Sequence, residues 1–172
     1  MASRLPGIAC ISVIGKQNNP LLISLFPQEQ RDPLEFSFLL SSCLDIFETR
    51  APFKTADQDF GLLQAVDERL AMYGWQTNTR VKFVIVVDMA ARVSRDTKAN
   101  VAAGIRDADL KPAFRAIQAA YINLLRNPFY TPDEPVAPGS EQKVPSAQIT
   151  SPAFVKEIRR IAEVWVPGIA AI

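Results

Sequence analysis

Two stretches of this chain are apolar at odd and even positions alike: "IACISVIG" (Ile8–Gly15) and, after Lys82, "VKFVIVV" (Val81–Val87). A strand with one wet face alternates, so a strand apolar on both parities has to be covered on both sides. The chain must therefore build a sheet whose middle is buried twice over, and it must supply the helices that bury it.

The remaining runs provide them. "NNPLLISLF" follows the first apolar stretch after Lys16–Pro20, which predicts a hairpin with a longer loop. "RDPLEFSFLLSSCLDIFETRAPF" predicts a helix: Asp32 as N-cap, Pro33 at the first position and Glu35 completing a capping box. Phe36, Leu40, Cys43 and Phe47 recur at helical spacing on one face, and Pro52 ends the run. Phe38, Ser42, Asp45 and Thr49 form a second stripe pointing elsewhere.

From Phe60 the period falls to two. "FGLLQAVD", "RLAMYGWQTN" and "VKFVIVVD" predict three strands joined by hairpin-length connections at Asp67-Glu68 and Thr77–Arg80. Two more helices follow. The first has Phe114, Ile117, Tyr121 and Leu124 on one face, Asp109 as cap and Pro112 in its first turn. The second opens at Ser151-Pro152 and repeats Phe154, Ile158, Ile161 and Trp165. Residues 131–150 carry four prolines and no apolar period, and are expected to form a mobile loop within one domain spanning residues 1–172. The order is ββα-βββ-αα. With only three helices, the first takes one sheet face and the last two the other, an α+β chain folded as a three-layer α/β/α sandwich.

The composition narrows the chemistry. There is no histidine in 172 residues, which removes Ser-His-Asp and Cys-His nucleophile pairs, His-ligated metals and the commonest general base. "GIACISVIGKQ" fails as a phosphate loop, because too many residues separate Gly7 from Gly15 and Gln17 follows Lys16 where Ser or Thr is needed. The acidic pairs Asp57/Asp59, Asp67/Glu68 and Asp107/Asp109 fall in predicted turns and helix starts, where carboxylates act as caps. Trp75 and Trp165 lie on a strand and on a helical stripe, and read as core or interface. The expectation is a non-catalytic protein without metal or other cofactor.

Net charge is +1 with scattered Lys and Arg, so no nucleic-acid footprint is visible. No apolar run approaches the ~20 residues of a membrane span, and "MASRLPGIAC" does not read as a signal peptide. Cys10 and Cys43 then read as small core residues in a reducing compartment, with the protein expected to be cytoplasmic.

"LLRNPFY" raises a choice. Asn127-Pro128-Phe129-Tyr130 can be a tyrosine signal read by phosphotyrosine-binding-type domains, or a helix terminator. Pro128 lacks a donor and biases Asn127 away from helix. Without a membrane anchor to present a signal, the terminator reading prevails, with Phe129 and Tyr130 expected to fold back into the core.

"GWQTNTRVKFVIVVD" followed by "RDADLKPAFRAIQAAYINLLRNPFY" resembles the sedlin-like small subunits of the TRAPP vesicle-tethering complex; "SSCLDIFE" is similar to the Leu-Asp-aliphatic stretch in that family's first helix, and "TSPAF" to the Ser-rich start of its last. Within it, "TNTRVKF" favours the sedlin-like branch over sedlin itself. The resemblance runs from about Ile8 to Ile161. It implies a longin, or SNARE-like, fold with a five-stranded antiparallel sheet. It also implies a non-catalytic assembly subunit of a tethering and Rab nucleotide-exchange complex acting in ER–Golgi and Golgi trafficking. Other TRAPP subunits would be its partners, a Rab GTPase an indirect one, and Golgi- and ER-derived membranes its peripheral location. Residues 89–106, the Pro-rich segment and the tail from Val166 look longer than the family pattern and inherit no role. By the same resemblance, Phe38, Ser42, Asp45 and Thr49 become candidate partner-binding residues. The runner-up is a regulatory longin domain binding a SNARE or small GTPase directly.

Overall fold

Odd and even residues of the strand Lys82–Ser94 (β5) part company as the double burial requires: Phe83, Ile85 and Val87 join one apolar cluster, Val84 and Val86 the other. The structure, a computed structural model, describes residues 3–27, 31–53, 58–94, 104–130 and 148–172. Its strands are β1 (Ser3–Ile14), β2 (Pro20–Leu25), β3 (Asp59–Ala65), β4 (Leu70–Gln76) and β5. They form one antiparallel sheet in the order β2-β1-β5-β4-β3, so the two doubly apolar strands lie side by side at its centre. β1 and β5 both run further than their apolar stretches, pairing Ser3 with Ser94.

Helix α1 (Pro33–Arg50) covers one face through Phe36, Leu40, Cys43 and Phe47, all buried. Helices α2 (Asp107–Leu125) and α3 (Pro152–Val164) cover the other through Phe114, Ile117, Tyr121, Phe154, Ile158 and Ile161. The α/β/α sandwich and the longin-like element order are thus both present. In β1 the pairing with β5 shifts between Ile8 and Cys10, so strict alternation lapses: Ala9 and Cys10 both join the α1 side, while Ile11 returns to the α2/α3 side. Gly74 in β4 has a packing reason, since a Cβ there would lie 2.6 Å from Phe47 Cζ. Its bareness lets Phe47 settle on the sheet beside Phe60, ring centroids 4.8 Å apart.

The helix ends differ in detail from the expectation. Asp32 caps α1 by accepting the Leu34 N–H at 2.9 Å, but Glu35 is exposed and makes no return bond among the described residues. In α2 the cap is Arg106, and Asp109 sits inside at the third position, its carboxylate accepting the Arg106 N–H at 2.9 Å. That places Pro112 one turn deeper than expected, within the helix. Asp67 does cap its turn, accepting the N–H groups of Arg69 and Leu70 at 2.6 Å each. Asp59 accepts the Gly61 N–H at 2.8 Å, whereas Asp57 lies outside the described residues.

Two expectations concern the chain after α2. The helix does end ahead of Pro128. The aromatics, however, do not both turn inward: Tyr130 is half-buried against the α2/α3 cluster, but Phe129 is 93% exposed. The reason is geometric, for in a tight turn adjacent side chains diverge, and only one ring can reach the cluster. Residues 131–147 of the expected loop lie outside the described residues. At its far end Ile149 is buried and donates its N–H to Leu21 O at 2.9 Å, so the chain is anchored on the β2 edge before α3 begins.

Candidate docking surface

Once Phe36, Leu40, Cys43 and Phe47 seat α1 on the sheet, residues two positions along must face away from it. Phe38, Ser42, Asp45 and Thr49 are accordingly all exposed, Phe38 to 68%. The structure brings these four sequence-predicted residues into one stripe along the helix.

Their chemistry is less polar than their names. Ser42 Oγ donates to Leu39 O at 2.7 Å and Thr49 Oγ1 to Asp45 O at 2.8 Å, while Ser41 Oγ donates to Ser37 O at 3.0 Å. Hydroxyls turned back onto their own helix have spent their single proton and present only acceptor capacity. Asp45 has no ion pair among the described residues. The stripe therefore offers one large aromatic ring, one carboxylate and little else that binds strongly.

One residue was missed. Leu34, four positions before Phe38 and on the same side of α1, is 62% exposed. Its i, i+4 spacing from Phe38 is the signal in the sequence that points to it. Leu34 also borders a concavity of about 670 Å³ between the β2 edge, the start of α1 and α3, lined by Leu22, Leu25, Phe26, Pro33 and Arg159. The apolar ridge of α1 and this hollow are continuous through Leu34. At the other end of the helix the surface becomes polar, where Glu48 accepts from Asn18 Nδ2 at 2.9 Å and Asn18 Oδ1 accepts from Lys82 Nζ at 2.8 Å.

Residues with other chemical potential are tied up. Cys10 and Cys43 are free and buried, and burial pushes each thiol up to about 12, which keeps them protonated and inert. Trp75 and Trp165 are core residues, Trp75 stacking on Phe114 at 5.6 Å between centroids. Among the described residues no group of His, Cys, Asp and Glu is placed to hold a metal, and no helix is long and apolar enough to cross a membrane.

Residues 13–164 match the Sedlin family. This chain belongs to the sedlin family. The match covers every helix and strands β2 to β5, with only Val13 and Ile14 of β1, and it bears out the resemblance carried by Gly74–Asp88 and Arg106–Tyr130. Within the family, the chain is 35% identical over 134 residues to the trafficking protein particle complex subunit 2-like protein of Dictyostelium discoideum, covering 75% of this chain and 86% of that one. It is 32% identical over 133 residues to the protein of the same name from Xenopus tropicalis, with 74% and 86% coverage. The Bos taurus counterpart is 31% identical over 131 residues, with 73% and 84% coverage. The Sedlin match and these subunit 2-like relatives together support the sedlin-like resemblance.

Proposed function

We propose that this sedlin-family chain is an assembly subunit of a trafficking protein particle complex, acting by surface complementarity without catalysis or cofactor. Similarity to the subunit 2-like proteins along most of their length carries the reading. On this reading the complex tethers transport vesicles and promotes nucleotide exchange on a Rab GTPase in ER–Golgi and Golgi traffic. The chain works in the cytoplasm and reaches Golgi- and ER-derived membranes through its partners.

The docking face is the outer side of α1. A neighbouring subunit that brings an apolar hollow for Leu34 and Phe38 and a cationic group for Asp45 would match what this surface presents. A large ring among a few fixed polar groups is the composition that interface cores favour.

Asp45→Tyr tests this. The side chain is exposed and makes no ion pair among the described residues, so stability should change by no more than about 0.5 kcal/mol, as for an ordinary surface substitution. Co-purification with other small TRAPP subunits from native cytosol should fall sharply. Unchanged recovery would remove this face as the docking site. Failure of the unaltered protein to bring down any such subunit, with a lone SNARE or Rab in its place, would remove the assembly reading altogether.

A further inference from the structure

One motif is left unused by a role centred on α1. Asn127-Pro128-Phe129-Tyr130 leaves the end of α2 on the opposite layer of the sandwich, and its backbone is closed twice. Asn127 Oδ1 accepts the Phe129 N–H at 3.1 Å, and Asn127 O accepts the Tyr130 N–H at 3.0 Å. Asn127 in turn donates its own N–H to Leu124 O at 3.1 Å, rooting the turn in the last turn of the helix. Pro128 presets the turn and offers no competing donor.

This geometry separates the two aromatics. Tyr130 is withheld, half-buried against the α2/α3 cluster. Phe129 stands out almost fully exposed. A phenyl ring at that place contributes little packing, and a turn of this kind is satisfied by small polar residues. Among the described residues, the fold gives no reason for a Phe there. The exposed Ile122 and Leu125, three residues apart on the last two turns of α2, extend the apolar character of this end of the molecule.

We propose that Asn127–Tyr130 is a docking turn for a protein module that takes one aromatic ring into a closed apolar pocket and hydrogen-bonds the Asn-Pro backbone around it. The reader recognises a folded Asn-Pro-Phe turn and not the tyrosine. Because the folded protein already holds the turn closed, binding loses little conformational freedom in ordering it. Recognition then rests on the ring and the Asn127 scaffold, as expected of a small hot spot.

The experiment titrates the purified full chain against an isolated EH-type domain, a module that binds Asn-Pro-Phe peptides, with a phosphotyrosine-binding-type domain as the competing probe. Saturable binding to the first is expected, weakened at least ~10-fold by Phe129→Ala and by Asn127→Ala, and unaffected by Asp45→Tyr. Melting of Phe129→Ala should coincide with that of the unaltered chain. The proposal is overturned by absence of saturable binding to the EH-type domain, by equal binding of Phe129→Ala, or by preference for the tyrosine-reading domain. It is equally overturned by a large fall in the melting temperature of Phe129→Ala, which would make the ring structural. Concentration-dependent dimerisation abolished by Phe129→Ala would put a second copy of this chain on the turn and also overturn it.

Discussion

Trp165→Ala should destabilise this protein by about 3–5 kcal/mol, the range for deleting a large buried aromatic. Trp165 closes α3 at its C-terminal end and is fully buried. Its indole Nε1 donates to Asp109 O at 2.9 Å, so a single side chain fastens the end of α3 to the first turn of α2. Alanine removes the hydrogen bond and opens a cavity between two helices that cannot close it without leaving the sheet. At ~2–4 °C per kcal/mol for a domain of this size, the melting temperature should fall by about 6–20 °C. Urea melts of the two proteins measure the difference directly. A loss below about 1 kcal/mol would show that the α2–α3 layer holds without the indole.

The second large effect belongs to Asp88, a buried carboxylate in β5. It accepts Arg31 Nη2 at 2.9 Å, Arg69 Nη2 at 2.8 Å and the Ala90 N–H at 2.9 Å. Arg31 also donates from Nε to Phe26 O, so the carboxylate ties the segment before α1 and the β3–β4 turn to the central strand. Burial pushes the Asp88 carboxyl upward, but the hydrogen bonds from Arg69, Arg31 and Ala90 outweigh it and hold the group below its ordinary value. Asp88→Ala strands the mostly buried Arg31 guanidinium without a counter-charge. The expected loss is about 3 kcal/mol, the low end for stripping one member of a buried pair, because Arg69 is largely solvated already.

The depressed value also sets a pH dependence. A carboxyl with a lower pKa folded than unfolded stabilises the protein fully above the unfolded value of ~3.9, and that stabilisation disappears as pH falls through the folded value. The stability gap between the unaltered protein and Asp88→Asn should therefore be widest near neutrality and shrink below about pH 4. Urea melts at neutral pH and near pH 3 decide it. A gap that stays constant would mean that the ionised carboxylate contributes nothing.

Local pattern carried most of the architecture. Two runs apolar on both parities required cover on both faces, and the helical spacing of Phe36, Leu40, Cys43 and Phe47 settled which side of α1 supplies it, leaving Phe38 and Asp45 outside. These properties survive in sequence because side-chain direction in a strand or helix repeats with a fixed period. What depended on distant partners was not legible. Nothing local to Asp88 points to its ion pairs, since Arg31 and Arg69 stand 57 and 19 residues away. The hollow beside Leu34 exists only because β2, α1 and α3 meet there. Phe129 and Tyr130 had identical local credentials after Pro128. The turn could be foreseen from Asn and Pro, but which ring found the core was decided by where the α2/α3 cluster lay relative to it, and that is a property of the packed layers alone.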